Sequence, residues 1–193
     1  MHNIEPHYLW RDAYVAADDE RSPLYGRVYD EFQYSNKVYN YYIHPQWDEF
    51  GSATLYGKIL LVDYVERVAI IELIGEWNDC LTNDVLFLKQ NIVDSMVTEG
   101  IQKFIVVMDH VLNFHGSDNC YYEEWYEDIL NTNGYIVFLN VLDQVYDEMV
   151  SSQIDQYVHM GPTLQIPNWR SFKPANLVLQ LELSLQQRTM QLP

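Results

Sequence analysis

The spacing of apolar residues changes character along the chain, and each change marks an element. Up to about residue 35 the sequence is polar, tyrosine-rich and weakly periodic, with Pro6 and Pro23 as breakers, which predicts an irregular arm holding at most one short helix. "KVYNYYIH" (Lys37–His44) has the β-branched and aromatic content of a strand, and "PQWDEFG" after it reads as a turn. "SATLYGKILLVDY" (Ser52–Tyr64) and "RVAIIELIG" (Arg67–Gly75) form two strands, and a connection as short as "VE" suits only an antiparallel hairpin. The period then lengthens. Leu81, Val85, Leu88, Ile92 and Met96 fall on one helical face, with Gly100 as a stop.

"KFIVVMD" (Lys103–Asp109) and "YIVFLN" (Tyr135–Asn140) are continuous apolar runs, as expected of strands covered on both faces. Between them Tyr121, Tyr122, Trp125, Tyr126, Ile129 and Leu130 recur at helical spacing, ending at "NTNG". "VLDQVYDEMVSS" predicts a short helix, and "DQYVHM" (Asp155–Met160) a final edge strand. In the tail, "NWRSFKP" reads as a loop anchoring Trp169. Leu177 to Leu185 alternates strictly, as a strand does, yet Leu, Gln and Glu form helices well and Pro174 suits a first helical turn. Helix is the reading adopted there.

A hairpin followed by alternating helices and strands implies an α/β fold: a mixed sheet of about five strands, an antiparallel pair at one end, parallel strands after it, and helices packed on it. The expected division is residues 1–50 as the tyrosine-rich arm and strand, 51–160 as the α/β domain, and 161–193 as a C-terminal extension.

Charge narrows the range of partners. With 28 acidic and 11 basic residues the chain carries a formal charge of −17, and such a surface repels phosphate backbones and anionic headgroups. Nucleic-acid and membrane binding are therefore not expected, whereas a basic partner protein is compatible. The opening "MHNIEPHYLWRDAY" lacks the pattern of a signal peptide, and no apolar stretch approaches the roughly 20 residues of a membrane span. Cys80 and Cys120, without a CxxC pair, fit a reducing cytoplasm. Sixteen tyrosines and five tryptophans serve cores and interfaces alike.

The chemistry concentrates at a polar corner, His115-Gly116-Ser117-Asp118-Asn119, between a strand and a helix. Asp109, His110, His115, Asp118 and Cys120 all belong to metal-ligating types, but the paired spacings of zinc sites are missing, so no metal is expected. "FHGSDNC" lacks the second glycine of a nucleophile elbow, and a Cys120–His115 couple would need a third group to orient it. Phosphate-cradling glycine loops are absent, and Glu76 and Asp79 in "GEWNDC" would repel a phosphate; no cofactor is expected. Ser117, Asp118 and Asn119 are good N-cap residues, with Glu123 and Glu124 in the turn that follows. Capping accounts for their polarity. The carboxyl end of a strand is also where α/β proteins place working loops.

From these elements the chain resembles the STAS family, the small α/β domains typified by anti-anti-sigma factors, over residues 58–160. "VAIIELIGEWNDCLTNDVLFLKQNIVD" is similar to the family's strand, glycine and helix opening, and the stretch from "KFIVVMD" to "DQYV" to its strand, phosphorylation loop, helix, strand and terminal helix. The family's loop reads Asp-Ser-Ser-Gly; here Gly116, Ser117, Asp118 and Asn119 occupy those places. Asp118 thus replaces the phosphorylated hydroxyl with a permanent carboxylate, which carries part of a phosphate's charge.

The resemblance implies a non-enzymatic protein-interaction or regulatory module without catalytic residues, binding its partner through the loop Phe114–Asn119. The expected contact residues are Phe114, His115, Ser117, Asp118, Asn119, Tyr121 and Tyr122. Two other readings stand beside it: a structural α/β domain acting as a homo-oligomer, for example a dimer through the arm, or as an assembly factor, and a carboxylate/histidine hydrolase using Asp109, His115 and Asp118.

Overall fold

A computed structural model describes residues 4–30 and 32–191. Its centre is a four-stranded sheet in the order β3-β4-β5-β6, formed by β3 (Leu55–Asp63), β4 (Val68–Asn78), β5 (Lys103–His115) and β6 (Tyr135–Leu139). β3 and β4 pair antiparallel, while β4–β5 and β5–β6 are parallel. The antiparallel hairpin and the parallel pairing of residues 103–107 with 135–139 are those the sequence predicts. The predicted strand over residues 37–44 is instead a two-residue hairpin, β1 (Lys37–Val38) with β2 (Tyr41–Tyr42). Tyr39 and Asn40 both adopt positive φ, which reverses the chain where a strand would continue.

Both faces of the sheet are covered. Ala69, Ile71 and Leu73 of β4, with Phe104, Val106 and Met108 of β5, point towards the helices that follow β4, β5 and β6. These are α1 (Asp84–Leu88), continued by a π-helical turn (Lys89–Val93) into α2 (Asp94–Thr98), then α3 (Cys120–Leu130) and α4 (Asp143–Ser151). The helix begins at Asp84 and not near Leu81, which is 85% exposed. Residues 79–83 form a loop instead: Asp79 N and Cys80 N donate to His115 O and Leu81 N to Asn78 Oδ1, while at its two ends Asn78 N donates to Asp84 Oδ2 and Val85 N to Asp79 Oδ1. Val85, Leu88, Ile92 and Met96 are buried as predicted.

The second face carries Val68, Ile70, Ile105, Val107 and Val137, and the two ends of the chain cover it. Trp10 of the arm, Leu164, Ile166 and Trp169 of the tail, and Leu177 and Leu181 of α5 (Pro174–Gln191) pack there. The alternating leucines are helical because every second one, at i and i+4, suffices for a buried stripe; Leu179 and Leu183 remain in solvent. Burying Leu177 and Leu181 is worth about 1.5–3 kcal/mol each, which outweighs propensity differences of a few tenths. Asn140 ties the tail to the sheet, its side chain bonding both the N–H and the carbonyl of Ile166.

The predicted edge strand Asp155–Met160 reduces to one bridge. His159 pairs parallel with Val137, flanked by a 3-10 turn (Ile154–Gln156) and by Gly161 at positive φ. The apolar residues there, Ile154, Val158 and Met160, are buried against the helical side instead of alternating along an edge.

Candidate functional site

β5 runs six residues beyond the apolar run that predicted it, to His115, because β4 also continues to Asn78 and the two stay paired. β6 stops opposite Val107, so the ends of β4 and β5 project past it as a two-stranded ribbon. Register shifts at Glu72/Ile74 and Gly75/Glu76 break the ribbon's alternation, which is why "HVLNFH" gives no strand signal. Gly75 is required at the second shift, since a Cβ there would overlap the Thr54 carbonyl. The corner sits at the ribbon's tip.

The tip is fastened from beneath. His115 O accepts from Asp79 N (2.9 Å) and Cys80 N (3.3 Å), and Gly116 O accepts from the Cys80 thiol. Gly116 lies against the end of α4, where a Cβ would overlap the Ser152 side chain. Below, Trp77 contacts Phe114, Tyr122 and Phe138. Asp79 is the polar centre of this base: Oδ1 accepts from Trp77 Nε1 and Val85 N, both at 2.9 Å, and Oδ2 accepts from Tyr122 Oη at 2.7 Å. Burial pushes Asp79 up to about 6, opposed by the bonds from Tyr122, Val85 and Trp77. Farther along α3, Lys89 of the π turn reaches Glu124 (3.0 Å) and Asp128 (2.9 Å), which locks the helix after the corner to the helix before it.

The structure divides the predicted contact residues. Ser117 and Asp118 are exposed, Asn119 and Tyr121 are half-buried, and His115 is exposed with Nε2 2.8 Å from Glu76 Oε1. Phe114 and Tyr122 are buried and offer no contact area: the register of the ribbon turns Phe114 onto Trp77, and Tyr122 lies on the inner face of α3 with Trp125 and Ile129, its hydroxyl bonded to Asp79. The N-cap position is Asn119, whose side chain makes no capping bond; Asp118 Oδ1 accepts from Cys120 N at 3.2 Å instead. Hydrogen bonds from the Cys120 thiol and from its backbone N–H hold the Asp118 carboxyl below its ordinary value.

Asp109, His115 and Asp118, the residues of the hydrolase reading, do not form one hydrogen-bonded group. Each is engaged elsewhere, Asp109 with Trp169 and Arg170. Among the described residues no group of three histidine, cysteine or carboxylate side chains is placed to hold a metal ion. Among them, too, no helix is long and apolar enough to cross a membrane.

A second polar cluster lies on the sheet face covered by the chain ends. Glu72, 0% exposed, accepts from His7 N (2.7 Å) and from Arg170 Nη2 (2.6 Å). Asp109 Oδ2 accepts from Arg170 Nη1 (2.6 Å) and Trp169 Nε1 (2.8 Å). Burial raises Glu72 to about 6, against the lowering effect of the His7 N–H and Arg170. The sequence carries one signal for this cluster, a lone glutamate inside "RVAIIELIG"; nothing in it names partners 65 and 98 residues away.

No protein-family model matches the chain, and no curated protein matches it. Among solved structures of similar fold are anti-sigma factor antagonists. The unphosphorylated form of SpoIIAA is 12% identical, with 55% of this chain and 88% of that one covered and a TM-score of 0.44. A Thermotoga maritima protein assigned as an anti-sigma factor antagonist is 14% identical, covering 65% and 92%, at 0.43. The Bacillus cell fate determinant SpoIIAA in its phosphorylated form is 12% identical, covering 55% and 91%, at 0.40. The likeness is one of fold at low similarity. Strand order and register carry the α/β assignment by themselves.

Proposed function

We propose that the chain is a protein-interaction module that contacts its partner through the ribbon tip, Ser117–Asn119 with His115, Tyr121 and the first turn of α3. The observation that supports this most is the combination of exposure above and fixation below. Ser117 and Asp118 face solvent while the backbone beneath them is bonded to the loop after β4 and packed on α4. A contact loop held in this way loses little conformational entropy on binding. Its charge is acidic, with Glu76, Asp118, Glu123 and Glu124 around one histidine, so the complementary surface is basic.

The test is affinity capture from native extract with the tagged chain, followed by titration of the recovered protein against wild type and Asp118→Lys. The reading requires a roughly tenfold or greater loss of affinity in the variant, with unchanged circular dichroism. Equal affinities would move the contact away from the tip. The arm, where Val28 is 95% and Phe32 is 91% exposed, would then be the surface to examine, beginning with self-association.

A further inference from the structure

The arm encloses a second feature with its own chemistry. Residues 6–18 and Arg27 and Tyr29 wrap the outer strand β3 and leave a cavity of about 260 Å³ against Lys58, Ile59 and Leu60. Three of the chain's 11 basic residues, Arg11, Arg27 and Lys58, line it. Two acids offset them: Asp18 in the wall, and Asp48 behind it, which accepts from Arg27 Nη1 (3.2 Å), Lys58 Nζ (3.1 Å) and Tyr29 Oη (2.7 Å). Three positive charges against two negative leave the cavity positive in a chain of charge −17. Among the described residues Arg11 makes no ion pair.

A second observation is independent of charge. His7 also lines the cavity; it is 8% exposed, and its Nε2 atom is buried with no hydrogen-bond partner among the described residues. Burial and the nearby Arg170 lower its pKa to about 4, so near neutral pH it is an uncharged imidazole. The ring packs edge-on against Trp10 and Trp169, and an orphaned buried nitrogen costs on the order of 1–3 kcal/mol. The rest of the wall includes Pro6, Val15, Ala16 and Ile59, which suit an apolar body. The cavity therefore brings cations, a neutral histidine and an apolar wall together.

We propose that this cavity binds a small organic anion, with its carboxylate or phosphate head among Arg11, Arg27 and Lys58 and a short apolar body against the arm. Neither the ribbon tip nor its partner enters this site. Lys58 is held below its ordinary value by burial, and Arg11 and Arg27 push in the same direction against the pull of Asp48; an anion would relieve that repulsion.

Titration calorimetry on the full chain tests the site with three probes: hexanoate, hexanol and inorganic phosphate. The expected result is saturable binding of hexanoate or of phosphate, weaker or absent binding of hexanol, and a roughly tenfold loss of the anion's affinity in Arg11→Gln. Arg11 is exposed and makes no ion pair among the described residues, so this variant should keep the wild-type melting curve; Lys58 is unsuitable because Asp48 depends on it. Phosphate binding without hexanoate assigns the head as phosphate, and the reverse assigns it as carboxylate. Failure of both anions to saturate at millimolar concentration, hexanol binding as well as hexanoate, or an unaltered affinity in Arg11→Gln each overturns the proposal.

Discussion

Asp79 and Glu72 are both buried acids at or just beyond β4, both pushed up to about 6 by burial, and they are satisfied in opposite ways. Asp79 has only neutral donors: an indole, a backbone amide and a phenol. Two of these lie within six residues of it, and the third comes from the helix that the corner introduces. Glu72 is paired with a guanidinium 98 residues away and with an amide 65 residues away. One arrangement stiffens a loop; the other clasps both ends of the chain onto the sheet. Neutral donors each return a modest net gain and fail separately. A buried ion pair fails as a whole, because removing one partner leaves an uncompensated charge.

Arg170→Met sets the largest expected effect. It strips the cation from both Glu72 and Asp109 and should lower unfolding free energy by about 3 kcal/mol, the low end of the range for a broken buried pair, because Arg170 is 37% exposed and water screens part of the loss. Urea denaturation measures it. Adding Glu72→Gln should recover more than half, since the stranded charge disappears; no recovery would mean the loss lies in packing around Trp169. Tyr122→Phe should cost less, about 2 kcal/mol, because Asp79 keeps two of its three donors. If the phenol deletion costs more than the arginine deletion, the contrast between the two acids is wrong.

The pH dependence separates Asp79 from its surroundings. Its folded pKa of about 6 lies above the ordinary 3.8, so between those values the folded state binds more protons than the unfolded chain. Stability contributed by this group therefore grows as pH falls from about 7 to 4 and declines as pH rises. His7 acts oppositely: its pKa is lowered from 6.5 to about 4, so its contribution is present above 6.5 and lost as pH falls. Comparing Asp79→Asn with wild type cancels His7. The stability of wild type relative to the variant should increase from pH 7 to pH 4; a constant difference would place the Asp79 pKa near its ordinary value.

The smallest effects belong to the exposed tip. Asp118→Ala loses one bond to Cys120 N and should cost about 0.5–1 kcal/mol, while Ser117→Ala should stay within about 0.5 kcal/mol of wild type. The reverse order in thermal melts would make Ser117 the residue that caps α3.

Around the tip, the legible features were local ones. Apolar runs marked β5 and β6, helical spacing marked α3 and α4, and Ser117-Asp118-Asn119 marked a helix start, because each signal depends on neighbours within a turn or a strand. The projecting ribbon was not legible, since two register shifts scramble the alternation that would announce it. Tyr121 and Tyr122 show the same limit. Adjacent on one helix, they differ in burial because Tyr122 falls on the face of Trp125 and Ile129; what no local signal names is Asp79, 43 residues earlier, as the acceptor of its hydroxyl.

The sequence by itself determined the α/β class, the hairpin, the parallel pairing of the two apolar runs and the position of the corner. These follow from periodicity and connection length, which are properties of short segments. Only the tertiary structure decided that the arm and the tail meet over Glu72, that the corner rides on a ribbon above a buried aspartate, and that Arg11, Arg27 and Lys58 share a cavity. The physical reason is that a charge inside a protein must find its partner in space. Sequence separation places little limit on which residue supplies it.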